Sequence, residues 1–327
     1  MPEYYPRPGE TLTVALRRPE PASGDTIAFD SVDYRRDVGA RAAQSTLRLA
    51  YRSTRGAERR MTLPAATELE RVTIDGALVP LRLDGNTLGL PVTPGKHNVE
   101  IVWRNAGGPT FATHVEPVDL GGGASNVSAT LHVPDDRWVL LAFGPRVGPA
   151  VLYWPELLAF IVIAFVLGRL ALSPLRTHEW LLLGWGLSTF AWPVLALFAA
   201  WAFAMSARER TEWRHSAGRF NALQVALALL TVAALGALLS AIPWGLLGQP
   251  DMQVASPVSY ERLSWFADRT AGLTPDAGVL SVSIWFYKAA MLAWSLWLSF
   301  RLLRWLPWAW RAYTHGGLWR SRVGVSA

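Results

Sequence analysis

The chain has 327 residues, which is enough for two domains of ordinary size. It contains no cysteine, so disulfide frameworks, thiolate metal sites and cysteine nucleophiles are excluded. The formal net charge is +6, and the isoelectric point of the sequence is near 10.0. Residues 1–150 hold 17 basic and 17 acidic residues, whereas residues 151–327 hold 14 basic and 8 acidic residues. Because the second part also holds 15 of the 17 tryptophans and every long apolar run, the excess charge favours a membrane protein over a nucleic-acid-binding protein.

The first part of the chain has the pattern of a β domain. Its first nine residues lack both the basic segment and the apolar core of a signal peptide. Short alternating or β-branched runs then recur between Gly, Pro and Asp, at 11–16, 26–29, 45–52, 60–63, 69–74, 79–83, 88–92, 98–104 and 128–133. Asp75-Gly76 and Asp84-Gly85-Asn86 are turn signals, because glycine accepts a positive φ at little cost. Residues 1–148 are therefore predicted to form an antiparallel β-sandwich of the jelly-roll or immunoglobulin-like type.

Long apolar runs fill the second part of the chain. A membrane span needs about 20 apolar residues to cross roughly 30 Å of hydrocarbon, and four runs are long enough: 153–172, 180–205, 220–247 and 279–303. Tryptophans cluster at their ends, as in an interfacial aromatic belt. We predict an α+β multidomain membrane protein in which residues 149–327 form a bundle of about four transmembrane helices. The stretch 259–272 is predicted either to lie flat on the membrane or to be an ordinary loop.

The basic residues lead to conflicting predictions of orientation. With four simple spans, the arginine-rich loop 206–219 and the arginine-rich tail after residue 303 lie on the same side as the β domain. The positive-inside rule then makes the β domain cytoplasmic. A β-sandwich tethered by a short linker to a helical bundle is, however, commonly extracytoplasmic. A third arrangement satisfies both arguments: residues 180–205 fold back near Pro193 as a re-entrant hairpin, leaving three crossings, although one tilted span is simpler.

A set of short phrases is spread over most of the chain: Leu63-Pro64, Thr73-Ile74-Asp75-Gly76, Leu90-Pro91, Pro94-Gly95, Val102-Trp103-Arg104, Gly144-Pro145-Arg146-Val147-Gly148-Pro149, Pro174-Leu175-Arg176, Trp180-Leu181-Leu182-Leu183-Gly184 and Leu306-Pro307-Trp308-Ala309-Trp310. Together they resemble the C-terminal region of large uncharacterised bacterial inner-membrane proteins. That resemblance implies an extracytoplasmic β domain and a preceding N-terminal portion, and it brings no activity or catalytic residue. The segment Thr177-His178-Glu179-Trp180 is less specifically similar to the CreD-type inner-membrane proteins, which also join an extracytoplasmic β region to a helical bundle.

Lys288 is the leading candidate for intramembrane chemistry. It lies inside the fourth apolar run, where a charge is costly and is therefore a functional hypothesis by default. Glu156 of the first run and Gln224 of the third are its possible partners in a polar site. The alternative is structural: Lys288 extends to the nearer interface beside Tyr287, and Glu156 is solvated at the level of the headgroups.

Other polar motifs have structural explanations. His178-Glu179 stands at a span entrance, and adjacent helical residues point apart, so a helix cap is preferred to a metal site or proton relay. Asp135-Asp136 follows Pro134 and marks a turn rather than a catalytic pair. The glycine run 121–123 is predicted to be a flexible loop. It is not a phosphate-binding loop, because it lacks the strand, the helix and the lysine of that motif. His97, His114 and His132 lack the close spacing of metal ligands and are predicted to face solvent.

The sequence contains no recognisable catalytic motif, metal site or cofactor motif. We therefore expect a non-enzymatic integral membrane protein of the bacterial inner membrane. Its β domain would bind another envelope protein or a glycan, while the helices anchor it in the lipid bilayer and the arginine-rich tail contacts anionic headgroups. The resemblance favours a periplasmic β domain, whereas the charge distribution favours a cytoplasmic one. The alternative function is a component of a transporter or channel that uses Lys288 with Glu156, and an enzyme ranks third.

Overall fold

A computed structural model of the chain describes residues 26–170, 173–188, 192–210, 216–248, 250, 252, 254–255 and 263–320. The predicted run 11–16 lies outside these residues. The strands of the described part are β1 Ile27–Val38, β2 Ala42–Ser53, β3 Ala57–Thr62, β4 Thr67–Ile74, β5 Ala77–Leu78, β6 Leu83–Asp84, β7 Thr87–Val92, β8 Gly95–Ala106, β9 Ala112–Val115, β10 Ala124–His132, β11 Arg137–Phe143, β12 Ala150–Val151, β13 Val254–Ala255, β14 Leu263–Thr270 and β15 Ala277–Ser283. The helices are α1 Tyr153–Arg169, α2 Thr177–Ser188, α3 Trp192–Arg210, α4 Ala217–Leu247 and α5 Ile284–Thr314.

The largest sheet, here called the main sheet, has seven strands in the order β14-β10-β1-β2-β8-β4-β5. Strands β1, β2 and β8 alternate buried and exposed residues, as expected for a sheet with one face on the core and one face on solvent. The predicted sheet was antiparallel, but β1 and β10 run parallel, with Tyr34 opposite Ala129. The main sheet is therefore mixed.

The predicted turns of the β region are confirmed. Asp75 and Gly76 have φ values of 50° and 81° and connect β4 to β5 as a two-residue hairpin. Gly85, with φ 61°, lies in the turn between β6 and β7. Glycine suits both turns because it has no Cβ to resist a positive φ.

The core of the β region lies under the inner face of the main sheet. Leu47 and Trp103 of that face, Met61 of β3 and Leu90 of β7 are fully buried in one apolar cluster. The sheet β3-β7-β6 thus packs opposite the main sheet, and a third sheet, β11-β15-β9, adds Val279 to the same core. The β region therefore contains several sheets around one core. The prediction of packed sheets agrees with the structure, whereas the prediction of a simple two-sheet antiparallel sandwich does not.

Two strands between α4 and α5 complete these sheets. β14 extends the main sheet by antiparallel pairing with β10, and β15 lies between β11 and β9. The stretch 259–272 was predicted to be a membrane-surface segment or a loop, but its residues 263–270 form β14. The fourth predicted span also begins as a strand, because residues 279–283 belong to β15 and α5 starts at Ile284. The predicted division at residue 148 therefore does not coincide with the edge of the β region.

The prediction of about four transmembrane helices is wrong. Among the described helices, α4 alone is long and apolar enough to cross a membrane by length and composition. Helix α1 has 17 residues, or about 26 Å, and α2 has 12, because the run 180–205 is divided between α2 and α3. Helix α3 ends in Arg208-Glu209-Arg210. Helix α5 carries Lys288, Arg301, Arg304 and Arg311, which lower its mean hydropathy.

The helical region has two distinct ends. At the β end, β12 precedes α1 and pairs with β13, which follows α4, while β15 leads directly into α5. At the opposite end, here called the distal end, the amide Nε2 of Gln224 in α4 donates to the backbone oxygen of Tyr313 in α5 at 2.8 Å. Helices α4 and α5 therefore run antiparallel between the two ends.

Trp265 tests the structural role of β14. It is 1% exposed and pairs opposite Ala129 of β10, and its ring lies so close to Gly144 and Gly148 that a Cβ on either would collide with it. We expect Trp265→Ala to destabilise the β region by about 3–5 kcal/mol through the cavity it leaves. The thermal unfolding midpoint of the detergent-solubilised protein, followed by near-UV circular dichroism, measures this. Phe111→Ala, at a side chain that is 59% exposed, is the control and should shift the midpoint little. Equal midpoints for the two variants would contradict the role of β14.

Candidate functional site

The structure separates the three polar residues that the sequence grouped together. Gln224 contacts Tyr313 at the distal end, whereas Lys288 lies in the second turn of α5 at the β end. At a rise of about 1.5 Å per residue, Lys288 and Tyr313 are about 38 Å apart along the helix. The hypothesis of a polar site that includes both Lys288 and Gln224 is therefore not supported by their positions.

Lys288 and Glu156 lie at the same end of the helical region. Glu156 is in the first turn of α1, and Tyr153 of that turn lines the same cavity as Tyr287 of α5. The ammonium Nζ of Lys288 lies 5.2 Å from the centroid of the Trp285 ring, in the range of a cation–π contact. Both charges are half-buried, close to the β region. This position fits the structural alternative, in which the polar heads reach the interface.

Aromatic side chains surround a small cavity between the β region and the helices, here called the junction cavity. Trp138 of β11, Tyr153, Trp185, Tyr287 and Trp294 line it, and its volume of about 20 Å³ has room for about one water molecule. The walls are apolar, and the rings of Trp138 and Tyr287 meet edge to face at 5.5 Å. The aromatic rings around the junction cavity thus pack the β region against the helices.

A cluster of polar side chains connects α2 to α5. One carboxylate oxygen of Glu179 accepts the backbone N–H of Arg176 at 2.8 Å, and the other lies 3.3 Å from Nη1 of Arg301. The Nη2 of Arg301 lies 3.3 Å from Nε2 of His178. Glu179 therefore caps the first turn of α2. We did not single out Arg301 from the sequence, although an arginine inside an apolar run was the available signal.

A third polar group gathers at the distal end. Arg208 of α3 is 1% exposed, and it donates from Nε to the side-chain oxygen of Gln224 and from Nη2 to the carbonyl of Gly317, both at 3.5 Å. The guanidinium carbon atoms of Arg208 and Arg320 lie 5.2 Å and 4.2 Å from the ring centroid of Phe220. The distal end thus holds two arginines against one aromatic ring. The sequence indicated the basic character of this end but not that Arg208 is buried.

The three histidines of the β region lie on different strands and do not converge. His97 is on β8, His114 is on β9 with Nδ1 3.5 Å from a carboxylate oxygen of Asp276, and His132 is exposed at the end of β10. Across the described ranges, no group of three or more His, Asp or Glu side chains is arranged to hold a metal ion. A metal centre built from these histidines is not supported by the geometry.

The outer face of the main sheet carries cross-strand ion pairs. Glu100 of β8 lies between Arg48 and Arg71, with oxygen–nitrogen distances of 2.9 Å and 2.8 Å. The hydrogen bond from Arg48 is the main reason that the pKa of Glu100 is lowered, with Arg71 adding to it. On the neighbouring strands, Arg52 pairs with Asp30 at 2.6 Å. The face is therefore highly charged and its charges are locally balanced, which suits recognition of a polar surface better than proton transfer.

A buried arginine lies beneath the main sheet. Arg36 of β1 is 8% exposed and donates from Nη2 to a carboxylate oxygen of Glu116 at 3.1 Å. Its Nε and Nη1 atoms, the hydroxyl of Ser45 and the indole nitrogen of Trp103 have no hydrogen-bond partner among the described residues. Ser45 lies opposite both Arg36 and Trp103 in the strand register. The core of the β region therefore contains a cluster of buried polar atoms around Arg36 and Ser45.

Comparison with known proteins gives no family. No family model matches the chain, and no curated protein matches it. Solved structures with partial similarity include an M1 zinc metallopeptidase from Deinococcus radiodurans, with 10% identity over 38% of this chain and 35% of that chain and a TM-score of 0.30. Native LTA4 hydrolase from yeast (11% identity, 40% and 27%, TM-score 0.29) and aminopeptidase A from Legionella pneumophila (12% identity, 38% and 18%, TM-score 0.28) are also similar. The match spans about a third or less of each enzyme, and at these TM-scores it supports no conclusion about fold or activity.

The pair His97–Asp75 predicts a pH dependence of stability. His97 lies 2.6 Å from Asp75 through Nδ1 and 3.2 Å from the carbonyl of Pro94 through Nε2. These two hydrogen bonds raise the pKa of His97 above its ordinary 6.5, and the bond to His97 followed by that from the backbone of Asn98 lowers the pKa of Asp75 below 3.8. The contribution of His97 to the free energy of unfolding is complete below pH 6.5 and is lost as the pH rises through its raised pKa. The contribution of Asp75 to the same free energy is present above pH 3.8 and is lost as the pH falls through its lowered pKa.

We therefore expect the thermal unfolding midpoint of the wild type to exceed that of His97→Ala by more at about pH 5.5 than at about pH 9. Scanning calorimetry at both pH values provides the measurement. Phe111→Ala removes an exposed side chain that does not titrate, so it is the control and should show no such difference between the two pH values. If the difference in midpoint between the wild type and His97→Ala is the same at both pH values, the ion pair does not contribute to stability.

Proposed function

We propose that the protein is a non-enzymatic membrane protein in which the helical region anchors a β-domain binding module at a bilayer surface. The apolar surface that α1, α4 and α5 expose carries this proposal. Seventeen large apolar side chains of these helices are each at least 48% exposed: Leu158, Val162, Ile163, Val166, Val225, Leu229, Val232, Leu239, Trp244, Leu247, Trp285, Phe286, Leu292, Leu296, Phe300, Leu303 and Trp310. Soluble monomers rarely expose apolar surface on this scale, whereas lipid tails cover it without cost.

The two ends of the helical region support an orientation. The β region occupies one end, and the distal end carries Arg208, Arg210, Arg219, Arg311 and Arg320. Arginine-rich segments beside a membrane face the cytoplasm. We propose that α4, with the antiparallel α5 beside it, crosses the bacterial inner membrane, with the distal end in the cytoplasm and the β domain in the periplasm. This orientation reconciles the charge argument with the extracytoplasmic β domain that the sequence resemblance implies.

The charged outer face of the main sheet supports a binding role for the β domain. Its ion pairs fix a pattern of positive and negative groups on a broad exposed surface, and such patterns favour complementary partners and disfavour others. We propose another envelope protein or a glycan as the partner. The alternative, a transport component that uses Lys288 with Glu156, keeps both residues at the β end of the helical region. The separation of Lys288 from Gln224 removes only the third member of the proposed polar site.

Matched lysine substitutions test the membrane anchor. Val232 lies in the middle of α4 and is 73% exposed, whereas Leu78 lies in β5 and is 69% exposed. In a bilayer, Val232→Lys should cost about 3 kcal/mol and reduce the fraction of protein that sediments with membranes after carbonate extraction. Leu78→Lys is expected to leave that fraction unchanged, since its surroundings are aqueous. If the two lysine variants behave alike, the surface around Val232 faces water and the proposal fails.

A further inference from the structure

The distal end is built from three segments that are tied together by hydrogen bonds. The chain turns back after α5 at Gly316 and Gly317, whose φ values of 71° and 100° suit glycine. Asn221 of α4 then donates to the carbonyl of Arg320 at 2.9 Å and accepts its backbone N–H at 3.0 Å. Arg208 at the end of α3 reaches the same turn through the carbonyl of Gly317. Arg320 is therefore held in a defined position over the start of α4.

This end carries an excess of positive charge. Its described segments contain five arginines, Arg208, Arg210, Arg219, Arg311 and Arg320, and one acidic residue, Glu209. The carboxylate of Glu209 accepts the indole N–H of Trp308 at 2.8 Å. Arg208 and Arg320 lie against the same ring, that of Phe220. The positive potential is therefore concentrated where the three segments meet.

Apolar side chains surround these charges. Trp310, Leu318 and Trp319 are 62%, 50% and 65% exposed. Tryptophan beside arginine is typical of the level of lipid headgroups, where the ring contacts the acyl boundary and the guanidinium contacts phosphate. A guanidinium also matches a phosphate group through two parallel hydrogen bonds.

We propose that the distal end is a binding surface for the phosphate headgroups of anionic phospholipids, with Arg311 and Arg320 among the contacting groups and Arg208 fixed behind Arg320. This inference rests on the proposed membrane anchor and specifies the lipid class that surrounds it. The phosphate of the headgroup pairs with the arginines, and the exposed tryptophans lie along the adjoining acyl chains. Neutral phospholipids carry the same phosphate with a compensating cation, so they gain less from the excess positive charge.

The test is a native mass spectrometry titration of the full-length protein in neutral detergent with phosphatidylglycerol and with phosphatidylcholine. The wild type is expected to bind phosphatidylglycerol at least about tenfold more tightly. The double variant Arg311→Gln/Arg320→Gln should lose about 25-fold in affinity for phosphatidylglycerol, at roughly fivefold per arginine, and little for phosphatidylcholine. The matched control Arg55→Gln/Arg60→Gln removes the same charge from the β region and should retain the wild-type preference.

Equal affinities for the two lipids, or equal losses in the double variant and its control, would overturn the proposal. Displacement of phosphatidylglycerol by millimolar inorganic phosphate would also overturn it, because it would assign the surface to a free anion. The membrane anchor is judged separately. A protein that passes the Val232→Lys test but lacks lipid preference keeps its anchor and loses this site, whereas failure of the Val232→Lys test removes both.

Discussion

The pairing of β14 and β15 with strands from the first half of the chain constrains the whole molecule. Because these two strands lie between α4 and α5 in sequence, α4 must end, and α5 must begin, beside the β region. The other ends of both helices then meet at the distal end, where Gln224 bonds to Tyr313. One set of backbone hydrogen bonds thus decides which end of the helical region carries the β domain and which carries the arginines. The orientation argument depends on that arrangement.

The exposed apolar surface of the helices gives this arrangement its functional meaning. Side chains such as Leu229 and Val232 face outward along α4 between the two ends, while the opposite side of the helix packs on α3 and α5. A face of this kind is stable where lipid replaces water. The charged outer face of the main sheet has the opposite character, with Arg48, Glu100 and Arg71 paired on an aqueous surface. These are the two surfaces that the proposed function assigns to the membrane anchor and to the binding module.

Local sequence signals predicted local structure well and long-range pairing poorly. The Asp75-Gly76 turn and the alternation of β2 and β8 follow from backbone sterics and a period of two, so they are visible in any short window. The parallel pairing of β1 with β10 joins distant segments and leaves no local trace. Residues 279–283 are as apolar as a membrane span, but they form β15 because their backbone pairs with β11 on one side and with β9 on the other. Counting apolar residues therefore overestimated the number of spans.

For the candidate site, the sequence indicated that Lys288 and Gln224 are unusual polar residues within apolar runs. The distance between them depends on how the helices pack, and a short stretch of sequence does not contain that information.

The central claim is that the β domain and the distal end lie on opposite sides of a membrane. The absence of native cysteine allows single cysteines at Ala77, in the exposed β4–β5 hairpin, and at Ser216, beside the start of α4, to be labelled without background. With a membrane-impermeant maleimide on intact spheroplasts, the account predicts labelling of the cysteine at position 77 at once and of that at position 216 only after permeabilisation. Labelling of both cysteines from the same side would contradict it.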